Sequence, residues 1–200
     1  MDHHSLQLPG PDGPVPADEA LPRGPVHGAV IVLQEAFGVN DHIVDVCERF
    51  AAVGYRAVAP HLFHRDGVNA LPYDIEVALP HMANLTADGI RADIAAVREH
   101  LASHGLPLSL TGIVGFCMGG SITCAIAAED AYGAAVTFYG SGMHKGRFGF
   151  RSLGCLSRRP QRPLWSHVSP VPPQSAVSLS HRLPLPAGGG AHRSRGQNTF

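Results

Sequence analysis

After Asp130 the chain carries no acidic residue. All 16 aspartates and glutamates lie within residues 1–130 beside six arginines, whereas residues 132–200 hold nine basic residues. Folded domains intersperse both signs over their surfaces, so this split sets the last third apart. No apolar stretch approaches the ~20 residues that a membrane-spanning helix needs, which argues against a membrane partner. The opening Met1-Asp2-His3-His4 lacks the basic-then-apolar order of a secretory signal. The four cysteines, Cys47, Cys117, Cys124 and Cys155, form no Cys-x-x-Cys pair and no metal-ligand spacing. They read as reduced thiols of the cytoplasm. His61 and His64 stand three apart with no carboxylate–histidine set at ligand spacing, so no metal or other cofactor is expected, and the histidines are expected in loops or at the surface. The basic tail has neither the aromatic interleaving nor a motif of a nucleic-acid binder. Nothing in the sequence specifies an oligomeric state.

Residues 1–26 are rich in Pro, Gly and Asp and suggest a lead-in segment with an edge hairpin. Residues 28–34 form a continuous apolar run, as in a strand buried on both faces. Asn40 or Asp41 can cap a helix over 42–53 that stops at Gly54. A short strand at 56–59 ends at Pro60, and 61–85 reads as irregular with room for a short helix. Ile90, Ile94, Val97 and Leu101 recur at helical spacing and predict a helix over 87–103, closed by Gly105. A strand at 110–115, an alanine-rich helix at 118–128 and a strand at 134–139 follow. Such alternation predicts an α/β fold, a mostly parallel sheet flanked by helices on both faces. Past Gly142 the pattern stops, and prolines at 160, 163, 170, 172, 173, 184 and 186 interrupt any long element. The expected organisation is a domain over 1–142 and a low-order tail over 143–200.

A strand, then Gly115-Phe116-Cys117-Met118-Gly119, then a helix is the order of a nucleophile elbow. The nucleophile occupies a strained turn that lifts its side chain above the sheet. Glycines on either side let strand and helix approach closely. The thiol stands at a helix N-terminus, whose partial positive charge suits a thiolate. The N–H of Met118 points to where an oxyanion would form. The alternative is a tight turn holding an inert cysteine. Glu35 ends the first buried strand at the same sheet edge, where parallel α/β sheets place their sites. It is a candidate partner of the thiol, with the N–H of Ala36 as the second oxyanion donor, or else a loop carboxylate facing water. Cys124 and Cys47 read as core packing. The segment 115–120 lacks the spacing of a phosphate-binding loop.

Four segments together resemble the dienelactone hydrolase (carboxymethylenebutenolidase-like) family: residues 34–40 (QEAFGVN), 54–60 (GYRAVAP), 115–120 (GFCMGG) and 138–140 (FYG). The resemblance covers residues 28–140. It implies an α/β-hydrolase fold and a small-molecule lactone or ester substrate. It also implies a Cys-Asp-His triad in which Cys117 is the nucleophile, Glu35 helps to activate the thiol, and Met118 and Ala36 supply the oxyanion donors. The family's aspartate and histidine lie beyond the fourth strand, where the likeness stops. No triad aspartate is available there, and none of His144, His167, His181 and His192 sits in the family's Gly-His-Gly-Phe type of context. The tail composition is what an out-of-frame reading of a GC-rich gene would give, with true divergence as the alternative. The expected function is therefore an impaired lactone or ester hydrolase, against a non-catalytic α/β-hydrolase remnant or binding protein.

Overall fold

The computed structural model describes residues 2–151 and 165–167. The strands are β1 (Asp2–Leu8), β2 (Val15–Leu21), β3 (Gly28–Leu33), β4 (Tyr55–Pro60), β5 (Thr111–Phe116), β6 (Ala134–Phe138) and β7 (Trp165–His167). The helices are α1 (Asp41–Ala52), α2 (Ile75–Asn84), α3 (Ala87–Ser103) and α4 (Met118–Glu129). The strands form one sheet in the order β1-β2-β4-β3-β5-β6-β7. β1 and β2 are an antiparallel hairpin that pairs antiparallel with β4, and the rest of the sheet is parallel. The expected mostly parallel sheet with flanking helices is what forms.

Alternation along the strands sends successive side chains to opposite faces. Val30 and Val32 pack with Ala57, Ala59 and the α1 residues Ile43 and Cys47. Ile31 and Leu33 pack on the other face against Ile90, Ile94 and Val97 of α3 and Ile122 and Ile126 of α4. Asn40 caps α1, its side chain accepting from the Ile43 N–H at 3.2 Å, and Gly54 takes the left-handed φ of 92° that ends the helix turn.

The short helix that 61–85 had room for is the ten-residue α2, with Pro80 within it. Asp74 caps that helix, accepting from the Glu76 N–H at 2.9 Å. In the tail, β7 adds a parallel strand beside β6, where no element was expected. His61 lies in the loop after β4, as expected, but it is buried: it is 7% exposed and paired with Asp18 at 2.9 Å. The low-order tail expected from residue 143 also begins too early: Met143–Lys145 forms a short turn and Phe150 is buried in the core beside Phe148, whereas residues 152–164 and 168–200 lie outside the described residues.

β2 places one buried carboxylate on each face. Asp18 receives Ser5 at 2.9 Å and His61 at 2.9 Å. Glu19 receives a bidentate Arg56 at 2.7 and 3.0 Å and His100 at 2.8 Å. Burial pushes both carboxyls up. The bonds from His61 and Ser5 to Asp18, and from Arg56 and His100 to Glu19, outweigh it and hold them below their ordinary values of 3.8 and 4.5. A carboxyl more acidic in the folded than in the unfolded chain stabilises fully above its unfolded value and ceases to as pH falls through its folded one. The melting temperature is thus expected to drop on acidification below about pH 4, and less steeply in Glu19→Gln, as pH-resolved thermal melts would show.

Candidate active site

Three strand ends meet at one edge of the sheet. β3 leads to Glu35, β5 to Cys117 and β6 to Tyr139. Leu33 pairs with Gly115 in the parallel register, so Glu35 and Cys117 each stand two residues past a shared rung. Cys117 has φ 50° and ψ −111°, a backbone that non-glycine residues rarely adopt and that concentrates at functional sites. The turn is held from both sides. The Cys117 N–H donates to the Phe138 carbonyl at 3.0 Å, and the Gly119 N–H donates to the Gln34 carbonyl at 3.1 Å.

The flanking glycines are required by space. A Cβ on Gly115 would stand 2.1 Å from the Gly119 carbonyl oxygen, and one on Gly119 would stand 2.4 Å from that of Gln34. The α4 N-terminus is thereby seated directly on the end of β3. Met118 is the first residue of α4, so its N–H is among those with no acceptor inside the helix. Ala36 is buried beside Glu35. Its loop is pinned by an isolated bridge between Gly38 and Ala70. The Val39 N–H donates to Asn69 and the Leu71 N–H to Phe37, both at 2.9 Å.

Tyr139 was not singled out by the sequence. It is 39% exposed, takes φ 40° and donates its hydroxyl to Glu35 Oε1. Burial, then the bond to Glu35, then the charges of Glu35 and Cys117 push its phenol above the usual tyrosine range. Phe116 and Phe138, the last residues of β5 and β6, stack with centroids 5.0 Å apart and form an aromatic shelf below the turn. On the other side Phe37 packs on Tyr73 at 4.8 Å.

Two of the four tail histidines lie among the described residues. His144 lies in the short turn Met143–Lys145 after β6. His167 ends β7 opposite Phe138, and His181 and His192 lie outside the described residues. Among the described residues there is no carboxylate after Asp130. Glu129 and Asp130, at the far end of α4, are bound to Arg91 and Arg98 at 2.7 Å. Among the described residues no group of three or more His, Cys, Asp and Glu could hold a metal, and no helix is long and apolar enough to cross a membrane. A hollow of about 30 Å³ lined by Leu62, Phe63, Asp66 and His81 shares no residue with the elbow.

Cys47 and Cys124 are buried, while Cys117 is half-exposed. Burial, then the charges of Asp18 and Glu48, push the Cys47 thiol up to about 12, and burial raises that of Cys124. Timed alkylation of the folded chain with peptide mapping should therefore label Cys117 well before either of them. Faster labelling of Cys47 or Cys124 would count against the elbow.

The sequence pattern of the dienelactone hydrolase family matches residues 15–153. A protein of Methylorubrum extorquens provisionally named carboxymethylenebutenolidase is 37% identical over 139 residues, 68% of this chain and 48% of that protein. A carboxymethylenebutenolidase of a Pseudomonas species is 32% identical over 130 residues, 62% of this chain and 52% of that protein. The chain thus spans about half the length of the curated relatives it matches. Among solved structures, one provisionally assigned as a dienelactone hydrolase from Klebsiella pneumoniae superposes with a TM-score of 0.63 at 32% identity, covering 74% of this chain and 64% of that one.

Proposed function

This chain belongs to the dienelactone hydrolase family, and we propose that it opens lactone or ester bonds of a small molecule with Cys117 as nucleophile. The observation that carries this reading is the half-exposed thiol in a left-handed turn at the start of α4. Cys117 Sγ attacks the acyl carbon, and Glu35, at the neighbouring strand end, receives the thiol proton. The N–H groups of Met118 and Ala36 stabilise the oxyanion. Collapse of the tetrahedral intermediate expels the enolate, or the alcohol as its oxygen takes the proton back from Glu35, and leaves a thioester on Cys117. The free thiols Cys47, Cys117 and Cys124 support a cytoplasmic setting.

Water must then cleave the thioester, and this step is where the chain is impaired. A thiol–histidine pair needs its imidazole oriented by a third group, and residues 131–200 contain no carboxylate to do so. The family match ends at residue 153, close to the compositional break at 142. We propose a hydrolase domain over 1–142 and, past the reach of the family match, a divergent or frame-shifted tail. The test is hydrolysis of an activated aryl ester or an enol-lactone by the full chain, with Cys117→Ala as blank. Slow turnover that vanishes in the variant is expected. Identical rates in both would favour a non-catalytic remnant, and robust Cys117-dependent turnover would show that the tail supplies a working histidine.

A further inference from the structure

We propose that Tyr139 is a positioning residue of the thiol site, its hydroxyl holding the Glu35 carboxylate in the orientation that receives the Cys117 proton. The inference rests on the roles given above to Cys117 and Glu35. Its observations are separate from those roles. Tyr139 directly follows β6, and its φ of 40° turns the backbone into the left-handed region. Its neighbour Gly140 is pressed against the start of α4, where a Cβ would stand 2.8 Å from the Gly120 carbonyl carbon. This tight turn carries the Tyr139 hydroxyl to Glu35, two residues past the end of β3, with β5 lying between β3 and β6. The adjacent Phe138 carbonyl accepts the Cys117 N–H, so two consecutive residues fix the nucleophile's backbone and its acceptor's side chain.

A packing role alone would need no hydroxyl, since phenylalanine fills the same space. The hydroxyl reaches a carboxylate oxygen of Glu35 and fixes the side chain's orientation. The phenol keeps its own proton because burial and the nearby Glu35 oppose its ionisation, so the donor persists over the pH range in which a thiol reacts. Cys117 is fixed by its turn. An acceptor free to rotate would meet the thiol in a small fraction of its conformers, whereas a clamped one is pre-organised.

Alkylation of Cys117 by iodoacetamide, followed by peptide mapping from pH 5 to 9, reads this without any substrate. Four full-length chains are compared: the parent, Tyr139→Phe, Glu35→Gln and the double variant. Losing the hydrogen bond that holds the carboxylate should slow alkylation near pH 6 by about tenfold in Tyr139→Phe. In the Glu35→Gln background the same change should have no effect. An unchanged or faster rate in Tyr139→Phe, or an equal slowing in both backgrounds, overturns the proposal. Should Tyr139→Phe not fold, proton NMR of the parent decides. A downfield Tyr139 hydroxyl resonance that is lost in Glu35→Gln supports the clamp, and its absence from the parent overturns it. Because no ester is turned over, failure of the hydrolase reading and failure of the clamp are distinguishable results.

Discussion

Gly119→Ala is expected to lower the urea midpoint by the equivalent of about 3 kcal/mol or more, the upper range for overpacking that side-chain rearrangement cannot relieve. The added Cβ would stand 2.4 Å from the Gln34 carbonyl oxygen and 2.5 Å from that of Leu33. Both are backbone atoms at the end of a central strand, and neither can swing aside. Relief requires α4 to lift from β3, which breaks the Gly119–Gln34 hydrogen bond and separates Cys117 from Glu35. Stability and thiol reactivity should therefore fall together. Gly24 is the control: a Cβ there meets nothing within 4 Å, and Gly24→Ala should shift stability by no more than about 0.5 kcal/mol. Equal midpoints for the two variants would show that the elbow is not packed as described.

The second large effect concerns the acyl-enzyme. Acylation draws on groups the chain has at the sheet edge, whereas deacylation needs a base to activate water. Loss of the orienting aspartate from a triad costs about 10⁴ in turnover, and an unplaced histidine costs more. An activated aryl ester should give a burst of released phenol close to one equivalent of chain, followed by a slow phase. Under the proposed mechanism, added imidazole should speed the slow phase and leave the burst amplitude unchanged, since it supplies a base in solution. A slow phase indifferent to imidazole would mean that deacylation is limited by something other than the base.

Much of this arrangement is legible in the sequence because it is local. The helical spacing of Ile90, Ile94, Val97 and Leu101 lies within one element, and α3 runs from Ala87 to Ser103 as that spacing implies. The elbow is five consecutive residues between a buried strand and a helix. What was missed depends on distant partners. His61 is buried because Asp18 reaches it from β2, 43 residues away. Tyr139 meets Glu35 across 104 residues, and no spacing in the sequence encodes that bond. β7 is a strand of three residues, too short to show a period, and exists by pairing with β6. α2 was legible only as room for a short helix in 61–85; Pro80 removes one helical donor, while the Asp74 cap and the buried Ala78 and Met82 hold the helix.

The most direct measurement is peptide mapping of the full chain quenched in acid during the slow phase with an activated aryl ester. One acyl group on the peptide that contains Cys117, labile to hydroxylamine and absent from Cys117→Ala, is the expected result. Acylation of another residue, or equal labelling of parent and variant, would contradict Cys117 as the nucleophile.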